Sequence, residues 1–138
     1  MKYFYVVLIL MAAIVVTSNA QIAVIVNKSN PISKITPGSL KDIYLLSVLK
    51  WSNGMNIAVF DNRGKSIQKK FYEFINVSDI MGVKKQWLRF QLSGEGVAPI
   101  TVDDDYEMIK KIASISGAIG YVRASEVKGD VKVIAIIE

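Results

Sequence analysis

The sequence predicts a three-layer α/β domain, a mostly parallel β-sheet with helices on both faces. Two observations lead there. Short apolar runs alternate along the chain with longer stretches of helical periodicity, the order that builds a covered parallel sheet. The runs at 22–26 and 57–60 are continuously apolar rather than alternating, as strands buried on both faces are.

The chain opens with a segment that reads as a cleavable secretory signal peptide, residues 1–20. Lys2 supplies a basic start, an apolar centre runs to Val16, and small Ser18 and Ala20 stand three positions and one position before Gln21. The apolar run falls short of the roughly 20 residues that span a bilayer. No Cys follows that could carry a lipid anchor. Cleavage would leave residues 21–138 as one domain with 16 basic and 12 acidic residues, since Lys2 departs with the leader.

The elements follow in order. Ile22, Ala23, Val24, Ile25 and Val26 form a first buried strand, ended by the turn chemistry of Asn27 to Pro31. Pro37, Gly38 and Ser39 then start a helix, with Ser39 as its expected cap and Leu40, Ile43, Tyr44 and Leu46 on its apolar side. Trp51-Ser52-Asn53-Gly54 is a turn. Ile57, Ala58, Val59 and Phe60 make a second strand. Ile67, Phe71, Phe74 and Ile75 recur at i, i+4, i+7 and i+8, a helical stripe. A third helix follows Asp79, burying Ile80, Val83, Trp87 and Phe90 or Leu88, and Gly94 and Gly96 stop it. A brief strand precedes Asp103-Asp104-Asp105, which opens a fourth helix with Tyr106, Ile109, Ile112 and Ala113 on one face. Gly117 is expected to end that helix. Two strands, 118–122 and 131–137, close the domain.

Composition narrows the function. The chain has no His and no Cys, which removes His-based acid–base catalysis, Ser-His-Asp triads and the usual zinc sites. No catalytic residues, metal or cofactor are expected. A cysteine-free exported domain must rely on its core instead of disulfides, which fits a bacterial periplasm. The basic residues fall in pairs, Lys69-Lys70, Lys84-Lys85 and Lys110-Lys111, on helical patterns. That spacing suits solvated helix faces and gives no nucleic-acid surface. The three aspartates at 103–105 lack the spacing and glycine of a calcium loop, and helix capping accounts for them.

One loop carries candidate chemistry. Asn62-Arg63-Gly64-Lys65-Ser66 stands directly after a strand and before a helix. A helix amino end has unpaired N–H groups and about half a positive charge, so it attracts oxyanions. Arg63 could grip two oxygens, Lys65 adds charge, and Ser66 adds a hydroxyl. Ser29 and Asn30, at the end of the first strand, are second-rank polar contacts. The bland alternative stays open: Ser66 caps the helix while Arg63 and Lys65 are merely solvated.

The arrangement resembles a known family. Val24 through Ile32, with its Asn-Lys-Ser-Asn-Pro turn, is similar to the entry into the second lobe of phosphate-binding proteins of ABC transporters. Leu40-Lys41-Asp42-Ile43-Tyr44-Leu45 and Trp51-Ser52-Asn53-Gly54 resemble the helix and tryptophan turn that come next there. Residues 57–71, 87–96 and 117–122 match the anion loop with its helix, a later helix and the Gly-Ala-Ile-Gly-Tyr-Val closing signature. The resemblance implies a single free-standing lobe of the type II periplasmic-binding-protein fold. The family loop has the form Arg-x-x-x-Ser-Gly-Thr. Here Asn62 stands four before Ser66, and Ile67 and Gln68 replace Gly and Thr.

Two functions follow as expectations. One is a periplasmic solute-binding-type protein, not an enzyme, holding inorganic phosphate or a similar small oxyanion weakly, with a homodimer or a membrane-bound partner completing the site. The other is an interaction or sensory accessory module, docking on a sensor, transporter or porin, that kept the fold and lost the ligand.

Overall fold

The computed structural model describes residues 20–138. The signal peptide expected at 1–20 lies, apart from Ala20, outside them. The elements are β1 (Ile22–Asn27), α1 (Pro37–Tyr44), β2 (Ala58–Asn62), α2 (Lys65–Phe74), α3 (Ile80–Leu92), β3 (Ile100–Val102), α4 (Asp105–Ser114), β4 (Ala118–Arg123), a 3₁₀ turn at Ala124–Glu126, and β5 (Val131–Ile137).

The five strands form one sheet in the order β3-β2-β4-β1-β5. β2 pairs in parallel with both β3 and β4, whereas β1 runs antiparallel to β4 and β5. Four of the five strands therefore point the same way and β1 alone is reversed. This is the mostly parallel α/β sheet that the sequence predicts.

Helices cover both faces, unequally. Ile22, Val24 and Val26 of β1 pack with α1, α2 and α3 in the larger core. Ala23 and Ile25 face the other way, toward Met108 and Ile112 of α4. Adjacent residues of one strand thus feed two cores, which explains why β1 has no polar alternation. An aromatic cluster fills the larger core. The Phe71 and Tyr121 rings stack at 3.8 Å, and Tyr44 meets Phe71 edge-on at 4.7 Å.

Four local expectations need correction. The cap of α1 is Thr36, whose hydroxyl accepts from the Ser39 N–H, with Pro37 in the first turn. The first turn tolerates proline because its missing N–H had no partner to lose. α2 begins before Ser66, with Gly64 as its cap residue. On α4 the buried residues are Asp105, Met108 and Ile112, and Tyr106 and Ala113 are exposed. Finally, α4 ends at Ser114, and Gly117 serves packing instead. A Cβ there would sit 2.0 Å from the Asn56 carbonyl oxygen, so only glycine lets the two backbones approach.

Candidate functional site

The parallel register brings the carboxyl ends of β2, β3 and β4 side by side. Asn62 pairs with Val102, and β1 adds its amino end through the pairing of Ile22 with Arg123. In open α/β sheets, ligands bind beyond the carboxyl ends of the strands, beside helix amino ends. Here that place is the start of α2.

Asn62 builds the loop from below. It is buried, and its amide donates to Asp105 Oδ1 at 2.8 Å and to the Tyr121 carbonyl at 3.2 Å. Its side-chain oxygen accepts from the Gly64 N–H at 3.0 Å. Every polar atom of its side chain is engaged inside the protein. Asn62 therefore positions the loop and does not face a ligand, contrary to expectation. The Arg63 N–H donates to the Val102 carbonyl at 3.0 Å and fixes the chain as it leaves the sheet.

Gly64 caps α2 without a side chain, so no hydroxyl or carboxylate plugs this helix end. The Gln68 N–H closes the first turn on the Gly64 carbonyl. The N–H groups of Lys65, Ser66 and Ile67 precede any intrahelical acceptor. Lys65 and Ser66 are exposed around them. Gln68, standing where the family pattern has Thr, turns inward and donates to Asp61 Oδ2 at 2.8 Å.

Cations ring this end. Arg63 pairs with Asp103 at 3.1 Å, but both side chains are 68% exposed. Such a contact is worth little and yields readily to a competing anion. On the other flank, a cavity of about 200 Å³ is lined by Ser66, Lys70, Arg123 and Ala20. Arg123 pairs there with Asp105 at 3.3 Å, and the Lys70 ammonium donates to the Ala20 carbonyl at 2.7 Å. Sequence reasoning missed Arg123 and Lys70. The signal for Arg123 was available, since it ends the strand beside β2, where ligand-binding loops are expected.

The triple aspartate does three separate jobs. Asp103 meets Arg63, Asp104 caps α4 by accepting from the Glu107 N–H at 2.8 Å, and buried Asp105 ties β2 to β4. Among the described residues, no three His, Cys, Asp or Glu side chains gather as a metal site would require.

Ser29 and Asn30 are not part of this site. β1 runs antiparallel, so its carboxyl end lies at the opposite edge of the sheet, near Ile119. Ser29 donates to Asn27 Oδ1 at 2.8 Å, and the Asn30 side-chain oxygen accepts from the Ile32 N–H at 3.0 Å. A mainly apolar groove of about 500 Å³, walled by Trp51 and Ile57, also avoids the anion loop.

Directly beneath the loop lies a buried carboxylate, Asp61. It accepts from Tyr121 at 2.5 Å, Gln68 at 2.8 Å and Tyr72 at 3.2 Å. Burial raises its carboxyl above the usual range, against the lowering effect of those donors and of the Lys84 charge. Burial also pushes the hydroxyls of Tyr44, Tyr72 and Tyr121 far above the ordinary phenol range.

With this geometry in place, comparison identifies the class of fold. No protein-family model matches the sequence, and no curated protein is similar to it in sequence. Solved structures do match. One is a Clostridium perfringens protein assigned as a phosphate ABC transporter substrate-binding protein, carrying bound phosphate (22% identity, TM-score 0.67, 83% of this chain, 45% of that one). Others are an ABC-type phosphate transport receptor from Vibrio cholerae (20%, 0.65, 83%, 46%) and PstS from Borrelia burgdorferi (15%, 0.62, 84%, 47%). The chain spans less than half the length of these proteins. Its fold is that of one lobe of a type II solute-binding protein. Among the described residues, no helix is long and apolar enough to cross a membrane.

Proposed function

We propose that this is a non-enzymatic, periplasmic solute-binding-type protein that captures phosphate or a similar small oxyanion at the amino end of α2. One observation carries the reading: α2 starts at a glycine, without a side-chain cap, with Arg63 just before it, Lys65 as its first residue, and Lys70 and Arg123 sharing a cavity with Ser66. Unpaired N–H groups stand among nearby cations where the helix dipole is positive. The phosphate bound by the Clostridium perfringens protein supports the same ligand class. Cleavage after Ala20 would release residues 21–138 as one lobe and take away the Ala20 carbonyl, leaving the Lys70 ammonium free to meet an anion. A single lobe leaves one side of an anion in water, so affinity is low, near the millimolar range that corresponds to about −4 kcal/mol. A second copy, or a membrane-bound sensor, transporter or porin, would cover that side.

Titration calorimetry with phosphate and sulfate tests this. Ser66→Asp places a negative charge in the first turn, which favours the helix dipole by roughly 0.3–1 kcal/mol while repelling an anion. Phosphate binding should weaken at least tenfold in that variant, while the melting temperature stays the same or rises. Absence of heat at millimolar phosphate and sulfate in the wild type would rule the reading out.

The second reading, an interaction module, draws on α3. Met81, Leu88 and Leu92 lie exposed at i, i+7 and i+11, and Val97 follows them. Such a stripe suits a protein partner. Arg63→Ala with Ser66→Asp separates the two: an interaction module keeps its partner, whereas a binding protein loses its anion.

A further inference from the structure

Beside the anion loop runs a cleft of about 340 Å³ with a different character. Lys84, Trp87, Leu88 and Gln91 of α3 form one wall, and Arg63 and Thr101 face them. The spacing of the four α3 residues puts them on a single helix face. No carboxylate lines the cleft.

Lys84 is the unusual member. It is half-buried, and among the described residues it has no ion-pair partner. Its charge acts on Asp61, which is fully buried and already holds three donors. The Lys84 stem packs along the cleft wall, and its ammonium is left as an unpaired positive charge at the cleft. With Arg63 held only by its exposed contact to Asp103 and Lys84 unpaired, the cleft presents two cations to an anion from solution.

The other wall groups say what kind of anion. Trp87 directs its indole N–H inward to the Tyr44 carbonyl at 2.7 Å, so it offers the cleft only its apolar surface. Leu88 adds another apolar surface. Gln91 and Thr101 offer neutral hydrogen bonds. The volume falls at the lower end of small-ligand sites and exceeds what inorganic phosphate fills.

We propose that this cleft holds the organic portion of a phosphomonoester, whose phosphate lies at Arg63 and the start of α2. Lys84 supplies the second cation, and Trp87 and Leu88 contact the apolar or aromatic body. The inference rests on the oxyanion reading and narrows its ligand from inorganic phosphate to an organic phosphate.

Phenyl phosphate and inorganic phosphate, titrated separately, form the test. Heat is recorded together with tryptophan fluorescence. Of the two tryptophans in the chain, Trp87 lines the cleft, whereas Trp51 bonds to Gly117 at the far edge of the sheet. Phenyl phosphate should bind about tenfold more tightly than phosphate, as burial of part of a ring allows, and should alter the fluorescence. Lys84→Met, which removes the second cation and keeps the apolar stem, should weaken phenyl phosphate and inorganic phosphate alike, by about threefold or more. Leu88→Glu, at an exposed position where folding is not at stake, should abolish the preference for phenyl phosphate by setting a carboxylate where the ring would lie. Equal affinity for the two ligands would overturn the inference and leave the loop reading intact, as would a preference untouched by Leu88→Glu. Lys84-dependent binding of phenyl phosphate that survives Ser66→Asp would overturn the anchoring at α2 while keeping the cleft. No binding of either ligand would overturn both.

Discussion

Asp61→Ala should destabilise the protein by about 3–5 kcal/mol, because it strands three buried neutral donors. The side chain is inaccessible to water and accepts from Tyr121, Tyr72 and Gln68. Alanine leaves two hydroxyls and an amide without their acceptor in a dry core, and each stranded donor costs about 1–3 kcal/mol. Asp61→Asn keeps an oxygen for the two tyrosines, so it should cost markedly less. Urea unfolding of both variants at neutral pH checks the order. An alanine variant within 1 kcal/mol of wild type would mean that the tyrosines find other partners.

The same residue sets a pH dependence opposite to that of most carboxylates. The groups facing Asp61 are Tyr44 on α1, Tyr72 and Gln68 on α2, Lys84 on α3 and Tyr121 on β4. The three phenols are held above their ordinary range and stay protonated, so the carboxyl is the group that titrates. Its folded-state value is raised above the unfolded value of about 3.9. The native state therefore binds the proton more tightly than the unfolded chain. The contribution is complete below pH ~3.9, is lost as pH rises through the folded value, and is flat beyond it. Relative to Asp61→Asn, the wild type should lose stability as pH rises above 4. A wild type that instead gains on the variant over that interval would show that the three donors and Lys84 outweigh burial.

How far the sequence carried this reading depends on which rule governs each residue. Strand and helix order was legible because it follows apolar periodicity, a local property. The reversal of β1 was not, since strand direction depends on pairings with β4 and β5 a hundred residues away. That one unreadable fact moved Ser29 and Asn30 from the candidate site to the opposite edge. Asn62 was misjudged for a related reason. An asparagine at a strand end looks like a free polar contact, and only the fold brings Asp105 and the Tyr121 carbonyl to its amide. The helix start was legible to within two residues, but its cap was not. Ser66 has the better capping chemistry, yet Gly64 holds the position because Asn62 ties down its N–H. The uncapped end that results is the basis of the proposed binding.

Phe71→Ala is the second large effect expected, again about 3–5 kcal/mol. Phe71 is fully buried, stacks on Tyr121 with its ring plane tilted by only 5°, and touches Tyr44 and Tyr72 edge-on. It is also the central apolar anchor of α2, between Ile67 and Ile75. Truncation opens a cavity among rings that cannot collapse, because Tyr44 is tied to the Phe60 carbonyl at 2.8 Å and Tyr121 is tied to Asp61. For a chain of this size, each kcal/mol shifts the melting temperature by roughly 3–6 °C. The variant should therefore melt at least ~10 °C below wild type. Leu92→Ala on α3 is the control: its side chain is 77% exposed, and its truncation should stay within about 0.5 kcal/mol. Both variants truncate a large apolar side chain to alanine, so a comparable loss from both would contradict the placement of α2 against the sheet. Where Phe71→Ala remains folded in the cold, its anion affinity should fall as well. The N–H groups of Lys65, Ser66 and Ile67 aim at a fixed point only while the ring at 71 holds the helix down.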